Sequence, residues 1–374
     1  MRRERFLVCL GTRPEAIKLF PVIKELRKAP GAEVVVCATG QHGPMFDQVL
    51  DLVGVRADVN LNVLTPNQPL EELTARLLTG VCATIDDHKP TRIIVQGDTA
   101  TTAAASLAAY YRKVPVAHVE AGLRSHDIYA PWPEEVNRKV VTSIADIHFA
   151  PTEGAAAVLR AENVAHSSIV VTGNTVIDAL LYVRRNLLEG DRIRRSPEWA
   201  GNRSAGMKLV LATCHRRENF GRGVDEIAEA FRRIVARGDV RLILSVHPNP
   251  NVSDIFSHKL KNERNIILAP PLPYVDFVDL LLQSDVVLTD SGGVQEEAPT
   301  FGKPVLVMRE TTERPEGVAA GTAILVGADQ NRIVAETFRL LDEPAHYARM
   351  SQAHNPFGDG AASLRIRHRL LGEN

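Results

Sequence analysis

From one end of the chain to the other, short apolar runs rich in Val, Ile and Leu alternate with longer stretches of helical periodicity. The runs Phe6–Leu10, Glu33–Ala38, Arg92–Gln96, Val116–Val119, Ile147–Phe149 and Ile169–Val171 form a first series of candidate strands. A second series follows at Leu209–Thr213, Arg241–Val246, Ile266–Ala269, Val286–Thr289, Val305–Val307 and Ala323–Val326. Strands this short and this uniformly apolar are expected where a sheet is covered on both faces. Between them lie helical patterns such as Pro14–Arg27, Thr101–Tyr110, Val224–Val235 and Tyr274–Leu282. A strand–helix alternation of this kind is satisfied most economically by parallel sheets with helices on each side. At 374 residues the chain exceeds what one such core usually holds. The expected fold is therefore α/β, with two doubly wound, Rossmann-like domains.

The first domain is expected over residues 1–175 and the second over 176–360, the change of series falling near Gly173–Arg184. A polar, Arg- and Gly-rich stretch, Glu189–Gly206, precedes the second series. Residues 361–374 read as a tail, its Gly360–Leu371 pattern an amphipathic helix that packs back on the first domain.

Composition removes several classes of function. A net charge of -1 gives no electrostatic footprint for nucleic acid. No apolar run approaches the roughly 20 residues of a membrane helix. The start, Met1-Arg2-Arg3-Glu4-Arg5, leads straight into a strand and lacks the pattern of a secretory leader, so a cytoplasmic location is expected. Cys9, Cys37, Cys82 and Cys214 are widely spaced, without a Cys-x-x-Cys pair, and read as buried small residues in a reducing compartment. His118, His126 and His148 lack metal-ligand spacing, and no Gly-x-Gly-x-x-Gly follows a strand. Neither a metal nor NAD is expected.

In an open parallel sheet, ligands sit outside the carboxyl ends of the strands. Polar residues are concentrated at those ends. Gly11-Thr12-Arg13-Pro14-Glu15-Ala16-Ile17-Lys18 follows the first strand; Pro14 and Glu15 suit a helix start, and Arg13 and Lys18 offer cations. Gly97-Asp98-Thr99 and Glu120-Ala121-Gly122-Leu123-Arg124 close two strands expected to be neighbours, and Pro131-Trp132-Pro133-Glu134-Glu135 adds acids on a stiff loop. Clustered carboxylates divide acid and base roles, because repulsion and burial push their pKa values apart. Asp98 equally suits a helix N-cap, and Glu120 a partner for Arg124 or Arg138.

In the second series, Thr213-Cys214-His215-Arg216-Arg217-Glu218-Asn219 places a His and two Arg after a strand, a pattern suited to gripping a diphosphate. His247 ends the next strand. Val286–Thr289 breaks at Asp290-Ser291-Gly292-Gly293, and Gln295-Glu296-Glu297-Ala298 begins a helix. The glycines admit close approach of a ligand, the helix start offers free N–H groups to phosphate, and a carboxylate one turn on suits a ribose diol. This reads as the nucleotide end of a nucleotide-sugar site; alone, the same turn also describes an ordinary strand–helix corner.

Taken in order, these segments resemble the non-hydrolysing UDP-N-acetylglucosamine 2-epimerases. The matching stretches are Gly11–Lys18, Gly97–Thr99, His118–Arg124, Pro131–Glu135, Gly173-Asn174-Thr175-Val176-Ile177-Asp178, His215–Asn219, Asp290–Ala298, Gly302-Lys303-Pro304-Val305 and Thr311-Thr312-Glu313-Arg314-Pro315-Glu316, covering essentially the whole chain. The resemblance implies a fold like that of the B-type glycosyltransferases with a central cleft, and a homodimer. It implies interconversion of UDP-GlcNAc and UDP-ManNAc, in the cytoplasm, for surface polysaccharide. UDP leaves C1 as a base takes the C2 proton; the 2-acetamidoglucal then takes UDP back with a proton on the other face. By motif position Asp98, Glu120, Glu134 and His215 are the catalytic candidates, with the division among the carboxylates left open. Arg13, Lys18, Ser291, Gly292, Gly293 and Glu297 would bind the UDP-sugar. Gln41, His42 and Gln68 match loops that hold a second, activating UDP-GlcNAc, although Gly43-Pro44 and Asn67 depart from the family pattern beside them. Cys214 stands where a smaller residue is usual, either packed as an apolar group or reactive beside the cationic loop. The competing readings are a hydrolysing 2-epimerase, a glycosyltransferase of the same fold, and a non-catalytic nucleotide-sugar sensor.

Overall fold

The structure, a computed structural model, describes residues 4–40, 44–65, 68–189, 193 and 206–373. Its strands are β1 (Glu4–Leu10), β2 (Ala32–Ala38), β3 (Val59–Asn60), β4 (Arg92–Gln96), β5 (Val116–Val119), β6 (Ile147–Ala150) and β7 (Ile169–Val171), then β8 (Lys208–Cys214), β9 (Val240–Val246), β10 (Ile266–Ala269), β11 (Val286–Thr289), β12 (Val305–Val307) and β13 (Ala323–Leu325). They form a 7-stranded sheet ordered β3-β2-β1-β4-β5-β6-β7 and a 6-stranded sheet ordered β10-β9-β8-β11-β12-β13. Pairing is parallel in both, as between β1 and β4 and between β8 and β11. Each is doubly wound, so the α/β, Rossmann-like expectation holds. Strand order reverses between β1 and β4 in one sheet and between β8 and β11 in the other. Those switch points are where such sheets bind ligands.

The second sheet shows why its strands read as continuous apolar runs. Val210, Ala212, Leu242, Leu244, Val286, Leu288 and Leu306 pack with Phe231 and Phe256 on one face. Their neighbours Leu209, Leu211, Ile243, Val287, Val305 and Val307 pack with Leu280, Leu281 and Ala298 on the other. Alternate side chains of a strand point to opposite faces, and here both faces are dry. β3 had no sequence expectation: its two residues, opposite Cys37 and Ala38, are too few to show a period.

The chain divides into two compact units, 1–181 with 357–374, and 182–356. The division lies inside the continuous Thr175–Glu189 helix, past residue 175, and the chain returns to the first unit at Phe357. In that unit Asp178 accepts hydrogen bonds from the Ala362 and Ser363 amides at 3.2 and 2.8 Å, capping the Ala362–Leu371 helix. Among the described residues no helix is long and apolar enough to cross a membrane.

Candidate active site

In the first unit the Arg13–Lys28 helix starts directly after β1. Thr12 caps it, Glu15 completes a capping box and a proline stands in its first turn. One turn on, the Lys18 ammonium meets Glu120 Oε1 at 2.5 Å, while Arg13 is half-buried at the helix start. Glu120 follows β5, is 7% exposed and has φ 62, an uncommon backbone conformation for a residue with a Cβ. Asn174 Nδ2 donates to its Oε1 at 3.0 Å, and Gln96 Nε2 donates to its Oε2. The carboxylate is thus held by Lys18 and two amides. Of the partners expected for it, Arg124 is engaged by Glu162, and Arg138 by Asp98 and Glu135.

Asp98 follows the neighbouring strand β4. Its Oδ2 accepts from Arg138 Nε and Nη2 at 2.9 and 2.6 Å. It does not cap the following helix. Thr99 does, accepting from Thr102 N at 3.1 Å. Arg138 belongs to the Glu134–Ile144 helix, whose two leading acids separate into different jobs. Glu135 is buried and accepts from the amides of Ser125 and His126 at 3.1 and 3.2 Å, fastening the loop. Burial works to raise its carboxyl, but these bonds and Arg138 hold it below the usual range. Glu134 is half-buried, and its Oε2 is buried without a hydrogen-bond partner among the described residues.

His118, on β5, has its Nε2 2.8 Å from the Gly97 carbonyl oxygen, which fits an Nε2–H donor. Burial drives its pKa down to about 3, so the ring is neutral and serves as a prop under the Asp98 loop.

In the second unit, β8 ends at Cys214 and β11 at Thr289, side by side. Asp290 is fully buried. Its Oδ2 accepts from the amides of His215 and Arg216, both at 2.9 Å, and from Asn219 Nδ2 at 3.2 Å, and its Oδ1 faces His215 Nδ1 at 3.0 Å. Burial pushes its carboxyl up, but His215 and the two amides outweigh that and hold it low. With Nδ1 given to Asp290, Nε2 is the imidazole atom left for chemistry. The His247 ring stacks on His215, centroids 6.0 Å apart, and burial followed by the His215 charge lowers its pKa. Cys214 is inert rather than reactive: it is 1% exposed, and burial, then Asp290, raises its thiol well above the ordinary value.

The turn after β11 differs from the expected one in a detail. The helix runs Gly292–Glu297, so both glycines lie inside it and Gln295 does not begin it. Ser291 occupies the cap position, but its side chain makes no capping bond. A Cβ at Gly292 would lie 3.3 Å from Arg314 Cζ and 3.6 Å from Arg216 Nη2. Two guanidinium groups therefore converge on the helix start, and glycine leaves them room. Gly293 is open, its nearest neighbour for a Cβ being Ser291 Oγ at 3.9 Å. Glu296 is the buried acid of the pair and binds Arg314 Nε at 2.6 Å, whereas Glu297 is half-buried. Arg216 Nη1 lies 4.0 Å from Glu313. Burial works to raise the Glu313 carboxyl, yet Arg309 and Arg216 hold it at about 2. Arg216 was expected from the sequence as one of two arginines suited to a diphosphate, whereas Arg314 was not singled out. Both stand in the matching motifs, but nothing in the spacing shows which of many arginines meet at this turn.

Gln41 and His42 lie outside the described residues. Gln68 is half-buried, its Oε1 accepting from Thr65 N at 3.2 Å.

A carboxylate cluster at one switch point and an arginine-lined helix start at another are the equipment of a nucleotide-sugar enzyme on a fold like that of the B-type glycosyltransferases. A family model described as "UDP-N-acetylglucosamine 2-epimerase" matches residues 24–371. The chain is 50% identical to the UDP-N-acetylglucosamine 2-epimerase of Escherichia coli (strain K12) and 49% identical to that of Salmonella typhimurium, over 97% of each chain in both cases. Among solved structures it is similar to the UDP-GlcNAc 2-epimerase from Neisseria meningitidis bound to UDP-GlcNAc, with a TM-score of 0.91 and 42% identity over 98% of this chain and 100% of that one. The chain belongs to the UDP-N-acetylglucosamine 2-epimerase family and is an isomerase.

Proposed function

We propose that the protein interconverts UDP-GlcNAc and UDP-ManNAc by elimination and re-addition of UDP. The observation that carries this reading is the Glu120 carboxylate, buried in a strained backbone conformation and aimed by Lys18, Gln96 and Asn174 beside the Asp98 loop. In the forward direction a carboxylate of the first unit takes the C2 proton, the C1–O bond breaks and UDP departs with the electron pair. The neutral 2-acetamidoglucal then accepts a proton at the opposite face of C2 as a UDP oxygen re-forms the bond to C1. Proton count and oxidation state are unchanged over the cycle, so no hydride acceptor enters the chemistry.

Asp98, Glu120 and Glu134 are the acid/base groups of this scheme. A C2 hydrogen is a weak acid, so its removal depends on a positioned base and on stabilisation of the departing diphosphate. In the second unit Ser291, Gly292, Gly293, Arg216 and Arg314 suit that diphosphate, His215 presents Nε2 to it while Asp290 holds Nδ1, and Glu297 takes the ribose hydroxyls. Within the first unit, Arg13 is a further cation available to the UDP-sugar. Family membership also supports a cytoplasmic homodimer and a second, activating UDP-GlcNAc at Gln41, His42 and Gln68.

The test is positional isotope exchange. With heavy oxygen placed in the bridge between C1 and the β-phosphate, reversible loss of UDP moves the label into non-bridging phosphate positions, visible by phosphorus NMR. Epimerisation with the label retained in the bridge refutes C1–O cleavage. Release of free sugar and UDP without re-addition assigns the hydrolysing reaction instead.

A further inference from the structure

The Arg13–Lys28 helix needs only a capping box, yet its Glu15 does more than cap. The side chain is 0% exposed. Oε2 accepts from the amides of Gly11 and Thr12 at 3.0 and 2.7 Å. Oε1 reaches across to the loop after β4, accepting from Thr99 Oγ1 at 2.7 Å, with Thr102 Oγ1 at 3.2 Å. The Thr102 proton has a closer acceptor, the Gln96 carbonyl at 2.7 Å, so the Thr99 bond is the firm link. Burial pushes the Glu15 carboxyl up, and these hydrogen bonds oppose it. A solvent-exposed Glu or Gln would cap as well without the cost of burying a carboxylate. What burial adds is a connection between two loops that diverge at the switch point: Gly11-Thr12-Arg13, and Gly97-Asp98-Thr99.

We propose that Glu15 is a positioning residue for the reaction, fixing the Asp98 loop against the loop that carries Arg13 through its bond to Thr99. This rests on Asp98 serving as one of the proton-transfer groups. Glu15 touches no reacting atom and acts through Thr99, the residue after Asp98. Glu120 hangs from a different strand and is held by Lys18, Gln96 and Asn174. Loosening the Glu15–Thr99 link therefore disturbs one carboxylate more than the other.

The experiment compares wild type, Glu15→Gln, Thr99→Val, the double variant and Thr99→Ser in deuterated water. It records kcat, KM and the early ratio of C2 deuterium in recovered UDP-GlcNAc to that in UDP-ManNAc. A misplaced catalytic group costs on the order of 10- to 100-fold, and that loss is expected in kcat for both single variants. The deuterium ratio is expected to shift, because the two faces of C2 are affected unequally. The double variant should be no slower than the slower single one, and Thr99→Ser, which keeps the hydroxyl, should recover most of the rate. A smaller folded fraction lowers kcat but leaves the ratio alone. Unchanged ratios, independent multiplying effects or a wild-type rate in Thr99→Val would overturn the proposal. If Glu15→Gln does not fold, the Thr99→Val and Thr99→Ser pair decides it by the same ratio. An inactive wild type removes the epimerase reading and this proposal together; an active wild type with unaffected variants removes this proposal alone.

Discussion

Replacing Asp290 with Asn changes one atom and nearly no volume, yet it strikes the second unit at its most committed polar group. The carboxylate takes the His215 and Arg216 amides and Asn219 Nδ2 on one oxygen, with His215 Nδ1 on the other. Hydrogen bonds to a charged acceptor contribute about 1.5–3 kcal/mol and neutral ones about 0.5–1.5. Making three of them neutral removes about 1–1.5 kcal/mol each, roughly 3–4.5 kcal/mol in all, which relaxation lowers to about 2–4 kcal/mol. The new NH2 must face either His215 Nδ1 or the backbone amides. In the first case the imidazole proton moves to Nε2 and the ring loses its anionic support, so kcat falls by about a hundredfold or more. Urea unfolding and steady-state rates at pH 7 measure both effects. The folded-state pKa of Asp290 lies below its ordinary 3.8, so its stabilisation is complete above that value and lost as pH falls beneath it. The Asn variant should lack that part of the acid slope. A variant with wild-type midpoint and rate would refute the reasoning.

Glu120→Gln keeps the shape of the side chain but removes one of the proposed proton-transfer carboxylates, so turnover should drop by about 10²–10⁴ while UDP affinity by calorimetry stays within about threefold; parallel loss of both would contradict the proposed role. Arg314→Ala should raise the dissociation constant for UDP by about 10- to 100-fold, the worth of a charge-assisted hydrogen bond, with far-UV dichroism unchanged. Because His118 refuses its proton until about pH 3 and the unfolded chain accepts one near 6.5, stability should decline as pH falls through that window, and His118→Gln should flatten the decline in urea midpoints between pH 6.5 and 4. A slope unchanged by that substitution would show that other groups control it.

Much of the fold was legible because the sheets are buried on both faces. Runs such as Val286–Thr289 have no polar alternation to disguise them, and parallel connectivity then follows from the intervening helices. β3, with two residues, carried no period. The division between residues 181 and 182 falls in the Gly173–Arg184 stretch read from the sequence, but its point was not legible, because the Thr175–Glu189 helix has no break in its pattern there.

The site was legible as positions rather than as partnerships. Strand ends could be read, so Asp98, Glu120, His215 and Ser291 stood out. Which cation meets which acid depends on packing of distant segments: Lys18 and Glu120 are 102 residues apart, and Asn174 reaches Glu120 from 54 residues away. The second bond of Glu15, to Thr99, is 84 residues distant and invisible beside its ordinary role as a capping acid. Arg216 and Arg314 meet over Gly292 for the same reason: the constraint appears only when a Cβ is imagined there.

The central claim is that a C2 proton is removed and returned on the other face. Proton NMR of UDP-GlcNAc incubated with the purified protein in deuterated water tests it directly. The account predicts a mixture of UDP-GlcNAc and UDP-ManNAc, with deuterium at C2 of the UDP-ManNAc formed. UDP-ManNAc that keeps the original hydrogen at C2, or an unchanged spectrum at saturating substrate with binding confirmed, would contradict it.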